Sequence, residues 1–295
     1  MSHLPSFEPM GWLPHLLAIA PIPKESWVGC GGIFTLAALL DWMARSAPQP
    51  LSRGLDFKAD PLGRVIAVWL VRGGWVLLTT MLAYQGLQLH ALPLGSFAEF
   101  LLSLAWGIAG LAIFLELTFA HRLPSWVIAG SVAICLFVAT GLGVHPQSLN
   151  TEGKPLILIH VGAAVLAYCL LAAQALNAVV YLLQERALVR RQFTGIYAFL
   201  PALVPLDRIG RQLLGATVWI LGLSLVIGMT DWTQRAMALV ALPKLVMALI
   251  TWLGCFILLI NRRQERWTGP QFAWGSLLVF IPALWALWLS LPSST

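Results

Sequence analysis

Apolar stretches of about 20 residues, each long enough to cross a bilayer as a helix, follow one another from residue 26 almost to residue 291. Repeated this often, they leave few folds open. In hydrocarbon the backbone must satisfy its own hydrogen bonds, and helices do so within one segment. About eight such stretches are read, near 26–44, 66–89, 99–120, 124–144, 156–183, 211–230, 238–260 and 270–291. The expected fold class is therefore all-α, a polytopic transmembrane helical bundle. Only 10% of the residues are charged, against about a quarter in a soluble domain. The first stretch is the weakest, because Asp41 lies near its end and Gly29, Gly31 and Gly32 lower helix propensity. Prolines at 93, 124, 155, 205 and 270 stand at the joints, where a residue that starts but cannot continue a helix belongs.

The loops alternate in charge. One side holds Arg45, Arg53, Lys58 and Arg64, then Arg122, then Arg186, Arg190, Arg191, Arg208 and Arg211, then Arg262, Arg263 and Arg266. The other side holds Lys24, Lys154, Arg235 and Lys244, and Arg72 lies inside the second span near its basic end. The positive-inside rule then places both termini outside, in agreement with eight spans. The net charge of +6 is thus a matter of orientation, and no nucleic-acid partner is expected. Trp27, Trp42, Trp126, Trp232 and Trp267 stand near span ends, where an amphipathic indole suits the interface. No basic residue precedes Lys24, so the start does not read as a cleavable signal. The segment 184–211, basic and then semi-apolar at Phe193, Ile196, Tyr197 and Phe199, is expected to be a loop along the membrane surface.

Several kinds of chemistry lack their residues. There is no Walker-type phosphate loop, no His-Glu-x-x-His zinc pair, no Asp-rich magnesium pair and no grouped Ser/His/carboxylate triad, so no catalytic residue is assigned. Cys30, Cys135, Cys169 and Cys255 all fall inside spans with no Cys-x-x-Cys pair, and read as small buried apolar residues. Glu99 and Asp207 stand at helix starts, where the macrodipole favours an anion, and read as caps. Glu116 lies within reach of the cytoplasmic interface, and Lys244 is expected to snorkel.

The histidines are more informative. His3, His15, His90, His145 and His160 fall on the outer side or at outer helix ends, and only His121 is cytoplasmic. His160 opens a long apolar helix in Pro155-Leu-Ile-Leu-Ile-His160-Val-Gly. Such a histidine is either an axial ligand or an interfacial group bonded to a neighbouring carbonyl. Outward imidazoles with aromatic surroundings suit haem, while zinc or copper would call for thiol or carboxylate neighbours that these histidines lack.

Beyond this point the residues resemble a family. Leu158-Ile-His160-Val-Gly-x5-Tyr168 is similar to the histidine-led helix of the CcsA/HemX/YpjD-type cytochrome c assembly proteins. Pro93-Leu-Gly-Ser96-Phe-Ala-Glu99 through Trp106-Gly resembles the family's Pro-x-Ser-Asn-x-x-Glu segment and its tryptophan. Leu206-Asp207 through Gly215, Leu221-Gly222 and Gly228 resemble the helix that follows, and Pro243-Lys244, Thr251-Trp252 and Arg266-Trp267-Thr-Gly269 the next one and its loop. The likeness runs over roughly residues 65–290. It implies two parts: 1–64, an N-terminal segment with one weak span, and 65–295, a cytochrome c assembly-like membrane domain.

The resemblance also implies haem handling at the outer face, with His160 at the place of the family's first external haem histidine. The chain departs from the pattern in three places. His145–Lys154 stands where a Trp-Trp-Asp loop is expected, Ile260 or Asn261 where an intramembrane histidine is expected, and Leu291–Thr295 holds no second external histidine. These departures point away from a complete cytochrome c synthase and toward the HemX/YpjD branch. The expected protein is a multi-pass, haem-binding protein of the bacterial cytoplasmic (inner) membrane, accessory to cytochrome c maturation and not itself an enzyme. His145 or His90 would replace the second ligand, no metal beyond haem iron is expected, and cytochrome c assembly proteins or apocytochrome would be partners beside the lipid bilayer. A regulatory or scaffolding subunit without haem, for instance in tetrapyrrole biosynthesis control, and a small-solute permease are the other readings.

Overall fold

A computed structural model describes residues 22–46, 62–89, 94–119, 124–144, 155–191, 202–232 and 238–290. All eight of its long helices are long and apolar enough to cross a membrane, and no strand occurs among the described residues. They are α1 (Lys24–Ser46), α2 (Leu62–Leu89), α3 (Phe97–Phe119), α4 (Ser125–Leu142), α5 (Pro155–Val189), α6 (Leu203–Trp232), α7 (Ala238–Arg263) and α8 (Gly269–Ser290). The eight expected spans each match one helix. The exterior is apolar as well as the core: Trp69, Ile134, Val226, Trp274 and Leu278 are all exposed, as lipid-facing helices require.

Two ends differ from the sequence reading. The fifth helix continues to Val189 and the sixth begins at Leu203, so 184–189 and 203–211 are helical rather than part of a surface loop. Hydropathy marks where a helix leaves the hydrocarbon, while Gln184, Glu185, Arg186, Ala187 and Leu188 are good helix formers that carry it on. Pro205 sits in the first turn of α6, where the missing N–H would have had no helical partner. Phe193, Ile196, Tyr197 and Phe199 lie outside the described residues.

The helices form two groups. α1 packs on α2 and α4, and α3 on α4, around Trp27, Cys30, Phe34, Leu78, Leu102, Val132 and Leu136. α5 packs on α6 and α8, and α7 on α6 and α8, with Leu171, Leu214, Cys255, Leu258 and Phe272 inside. The groups meet where α3 lies on α5. There Gly107 admits Cys169, whose Sγ occupies the place a Cβ would take, and Phe100 meets Tyr168 edge-on at 5.6 Å. Cys30, Cys169 and Cys255 are buried as small apolar residues, and Cys135 is half-buried.

One packing device recurs at four places. A helical carbonyl at position i receives a side-chain donor from a neighbouring helix, and position i+4 is glycine. Trp75 Nε1 donates to Trp106 O (3.2 Å) beside Gly110. Asn177 Nδ2 donates to Leu206 O (3.0 Å) beside Gly210, and Trp252 Nε1 to Val218 O (3.0 Å) beside Gly222. His160 Nδ1 meets Ser224 O (2.7 Å) beside Gly228. At each glycine an added Cβ would come within 2.7–2.9 Å of the donor side chain. The residue at i+4 overhangs the carbonyl at i, so its lack of a side chain lets a ring or amide donor reach in, whereas the small Ser224 hydroxyl reaches His160 O past Ala164. In hydrocarbon such interhelical bonds contribute about 0.6 kcal/mol each, and small residues allow the close approach they need.

Candidate functional site

Four acids in or beside the spans, Asp41, Glu99, Glu116 and Asp207, are engaged. Glu99 is fully buried, and its Oε2 accepts the N–H groups of Gly95 (2.8 Å) and Ser96 (3.1 Å) while Ser96 Oγ accepts the N–H of Glu99 (3.2 Å). This is a capping box, so the cap expected at Glu99 is present. Its other oxygen accepts Gln85 Nε2 at 2.9 Å, tying the start of α3 to α2. Asp41, also fully buried, accepts Arg45 Nε (3.1 Å) and, from across the bundle, the backbone N–H of Trp126 in the first turn of α4 (3.0 Å). Glu116 pairs with Arg72 at 3.3 Å, which joins two charges read separately in the sequence, and the guanidinium also lies over Trp69.

Asp207 is not a cap. It is the fifth residue of α6, and it pairs with Arg262 of α7 at 2.8 Å and with Arg211 at 3.4 Å. The early helix start at Leu203 moves it past the unpaired N–H groups, and the two guanidiniums engage both of its oxygens. Arg262 Nη1 further donates to Trp267 O at 2.8 Å, which holds the turn before α8. With these carboxylates spent on caps and ion pairs, the described spans offer no row of unengaged acids of the kind an ion path uses.

His160 stands in the second turn of α5, at the end of the bundle that the charge pattern assigns to the outside. Its ring is half-buried against α6. Ser224 O can only accept, so the 2.7 Å contact requires that Nδ1 carry the proton. Ser224 Oγ, buried, lies 3.2 Å from the same nitrogen and donates to the backbone carbonyl of His160 at 3.1 Å. The two helices are thus bonded reciprocally through one residue on each. A Cβ at Gly228 would stand 2.7 Å from Cε1 and 3.0 Å from Nδ1, so this glycine makes room for the imidazole.

With the proton on Nδ1, the lone pair of the neutral ring is on Nε2. That nitrogen has no hydrogen-bond partner among the described residues and is not sealed inside the bundle. A ring fixed through Nδ1–H to a backbone carbonyl, with Nε2 left over, is the usual arrangement of a metal-bound imidazole. The two readings offered by the sequence are therefore compatible, since the carbonyl bond uses one nitrogen and leaves the other.

Of the residues expected to accompany it, His90 and His145 lie outside the described residues. Ile260 is exposed on α7, and the Asn261 amide is spent on its own helix at Ile257 O (2.9 Å), so neither offers a ligand. Ser224 was not singled out in the sequence. Its trace there is a serine four residues before Gly228. Among the described residues no group of three or more histidine, cysteine, aspartate or glutamate side chains could hold a metal ion.

Fold and site define a class, a multi-pass helical membrane protein whose helices are joined through glycine-exposed carbonyls and which holds an oriented imidazole at one end. The chain belongs to the cytochrome c assembly protein family, whose model matches residues 74–291. It is 25% identical to a cytochrome c biogenesis protein CcsA of Guillardia theta over 241 residues, 72% of this chain and 78% of that one. It is also 37% identical over 86 residues to an uncharacterized 28.8 kDa protein of Azospirillum brasilense, covering 28% of this chain and 32% of that protein. The resemblance read from the sequence is that of the family, and family membership supports a role in cytochrome c maturation.

Proposed function

We propose that this chain is a haem-binding membrane component of cytochrome c maturation, with His160 Nε2 as an axial ligand to the haem iron. The observation that carries the reading is the Nδ1–H contact to Ser224 O, which fixes the tautomer and the ring and leaves Nε2 to bind. Haem, when bound, supplies the prosthetic group of c-type cytochromes, and an apolar surround with an axial nitrogen suits it. Leu156, Leu158 and Ile159, exposed beside His160, provide such a surround. Ser224 and Gly228 position the ring. His145 or His90 is proposed as the second axial ligand. Both termini are proposed to face outward in a bacterial cytoplasmic membrane, with an apocytochrome or another assembly protein as partner.

The engagement of Asn261 with its own helix, and the apolar Ile260 beside it, favour an accessory, non-enzymatic haem-handling role of the HemX/YpjD kind over a complete synthase. The test is a haem spectrum of the detergent-purified protein beside a His160→Ala variant. Haem is expected in the first and lost or strongly reduced in the second. Equal, stoichiometric haem in both would remove His160 from the role, and no haem in either under ample supply would favour the scaffolding reading.

A further inference from the structure

At the end of the bundle opposite His160, α6 and α7 enclose an open groove of about 420 Å³. Arg208, Arg211, Gln212, Gly215, Ala216 and Trp219 line it from α6, and Leu259 and Arg263 from α7. The α6 residues recur at three- and four-residue spacing, so they form one continuous stripe. The stripe is graded. Guanidiniums occupy its end nearest the helix start, while Gly215, Ala216, Leu259 and an indole 79% exposed at Trp219 occupy the rest. From Arg208 to Trp219 the helix rises about 16 Å, roughly half the hydrocarbon thickness. The groove therefore runs from a cationic mouth at the membrane surface to an apolar wall well inside it.

Charge here is unbalanced. Four arginines, Arg208, Arg211, Arg262 and Arg263, stand here with Asp207, whose two oxygens are engaged by Arg262 and Arg211, and with Glu185, which acts on Tyr181 together with Asp207. Arg208 and Arg263 are exposed and have no acidic partner among the described residues. Gln212 Oε1 is shielded from solvent and accepts no hydrogen bond among the described residues. The site thus lacks an anion and an apolar chain, arranged in that order along one stripe.

We propose that this groove binds an anionic phospholipid such as phosphatidylglycerol. The phosphate would meet Arg208 and Arg263, and one acyl chain would lie along Ala216, Trp219 and Leu259. Basic pockets between spans at the cytoplasmic surface are suited to anionic headgroups, and the arginine forks match a phosphate. The site is remote from His160 and stands independently of any haem.

The experiment is thermal unfolding of the delipidated, detergent-purified full chain, titrated with phosphatidylglycerol, phosphatidylcholine or inorganic phosphate. Phosphatidylglycerol is expected to raise the midpoint saturably, with little effect from the other two. In Arg208→Gln/Arg263→Gln its half-saturating concentration should rise about thirtyfold, from two lost surface cations. Arg190→Gln/Arg191→Gln removes the same charge at the exposed end of α5 and should leave the titration unchanged. Equal protection by phosphatidylcholine, equal protection by inorganic phosphate, or an equal loss in the Arg190/Arg191 variant would overturn the proposal. Loss of bound haem rather than of the lipid response in Arg208→Gln/Arg263→Gln would also overturn it, by reassigning the arginines to the haem carboxylates. Each variant is read against its own lipid-free midpoint, so a change in basal stability does not blur the outcome.

Discussion

Gly222 and Gly228 lie six residues apart on α6 and serve the same packing device with different outcomes. At Gly222 an indole from α7 donates its one N–H to Val218 O, and its hydrogen-bonding capacity is then spent. At Gly228 an imidazole from α5 donates to Ser224 O and still has a second nitrogen with a lone pair. Asn177 beside Gly210 and Trp75 beside Gly110 repeat the pattern. A family-wide chemistry is not needed to explain why a donor stands in each notch. What distinguishes one notch is that its donor has something left over.

The comparison breaks first at the glycines. Gly228→Leu is expected to cost about 1–3 kcal/mol through overpacking and to remove bound haem, whereas Gly222→Leu should cost a similar amount and leave the haem per folded protein unchanged. Denaturant unfolding and a pyridine haem assay together decide this, and parallel haem loss in both would erase the distinction. Next in size is His160→Asn. The asparagine amide can donate as Asn177 does at Leu206 O, so the unfolding midpoint should barely move while the haem spectrum disappears. Haem retention in that variant would assign the ligand elsewhere.

Trp252→Phe removes one interhelical bond and should lower stability by about 0.6 kcal/mol with an unchanged haem spectrum. Ser224→Ala has the smallest expected effect. The acceptor is the backbone carbonyl, which the substitution keeps, so what is lost is the hydroxyl bond to His160 O and the 3.2 Å contact of Oγ with Nδ1. Stability should fall by no more than about 0.6 kcal/mol, and a full loss of haem would show that the hydroxyl, not the carbonyl, orients the ring.

The span count was legible because hydropathy reports solvent environment directly, and each of the eight apolar stretches is a helix. The ends near 184–211 were not, because Glu185, Arg186 and Asp207 are polar residues that continue a helix outside the hydrocarbon. Polarity was mistaken there for loop. Glu99 was read correctly as a cap because its place at a helix start is local, and a cap needs only neighbours in sequence. Asp207 was misread because the helix begins at Leu203, ahead of the apolar stretch, and because one of its two partners, Arg262, lies on another helix. His160 was conspicuous in the sequence, but Ser224 was not, since a main-chain acceptor leaves no side-chain signature. At the four carbonyls that accept a ring or amide donor, the glycine four residues on is the mark left in the sequence.

Asp41 is part of α1, which ends at Ser46, ahead of the residues that match the family. Yet its carboxylate serves the first turn of α4, a helix well inside that match. Severing the chain after α1 would leave the Trp126 N–H without this acceptor and Trp27, Cys30 and Phe34 missing from the first core. The stretch that the family model matches is therefore shorter than the stretch that must be expressed to obtain a stable protein.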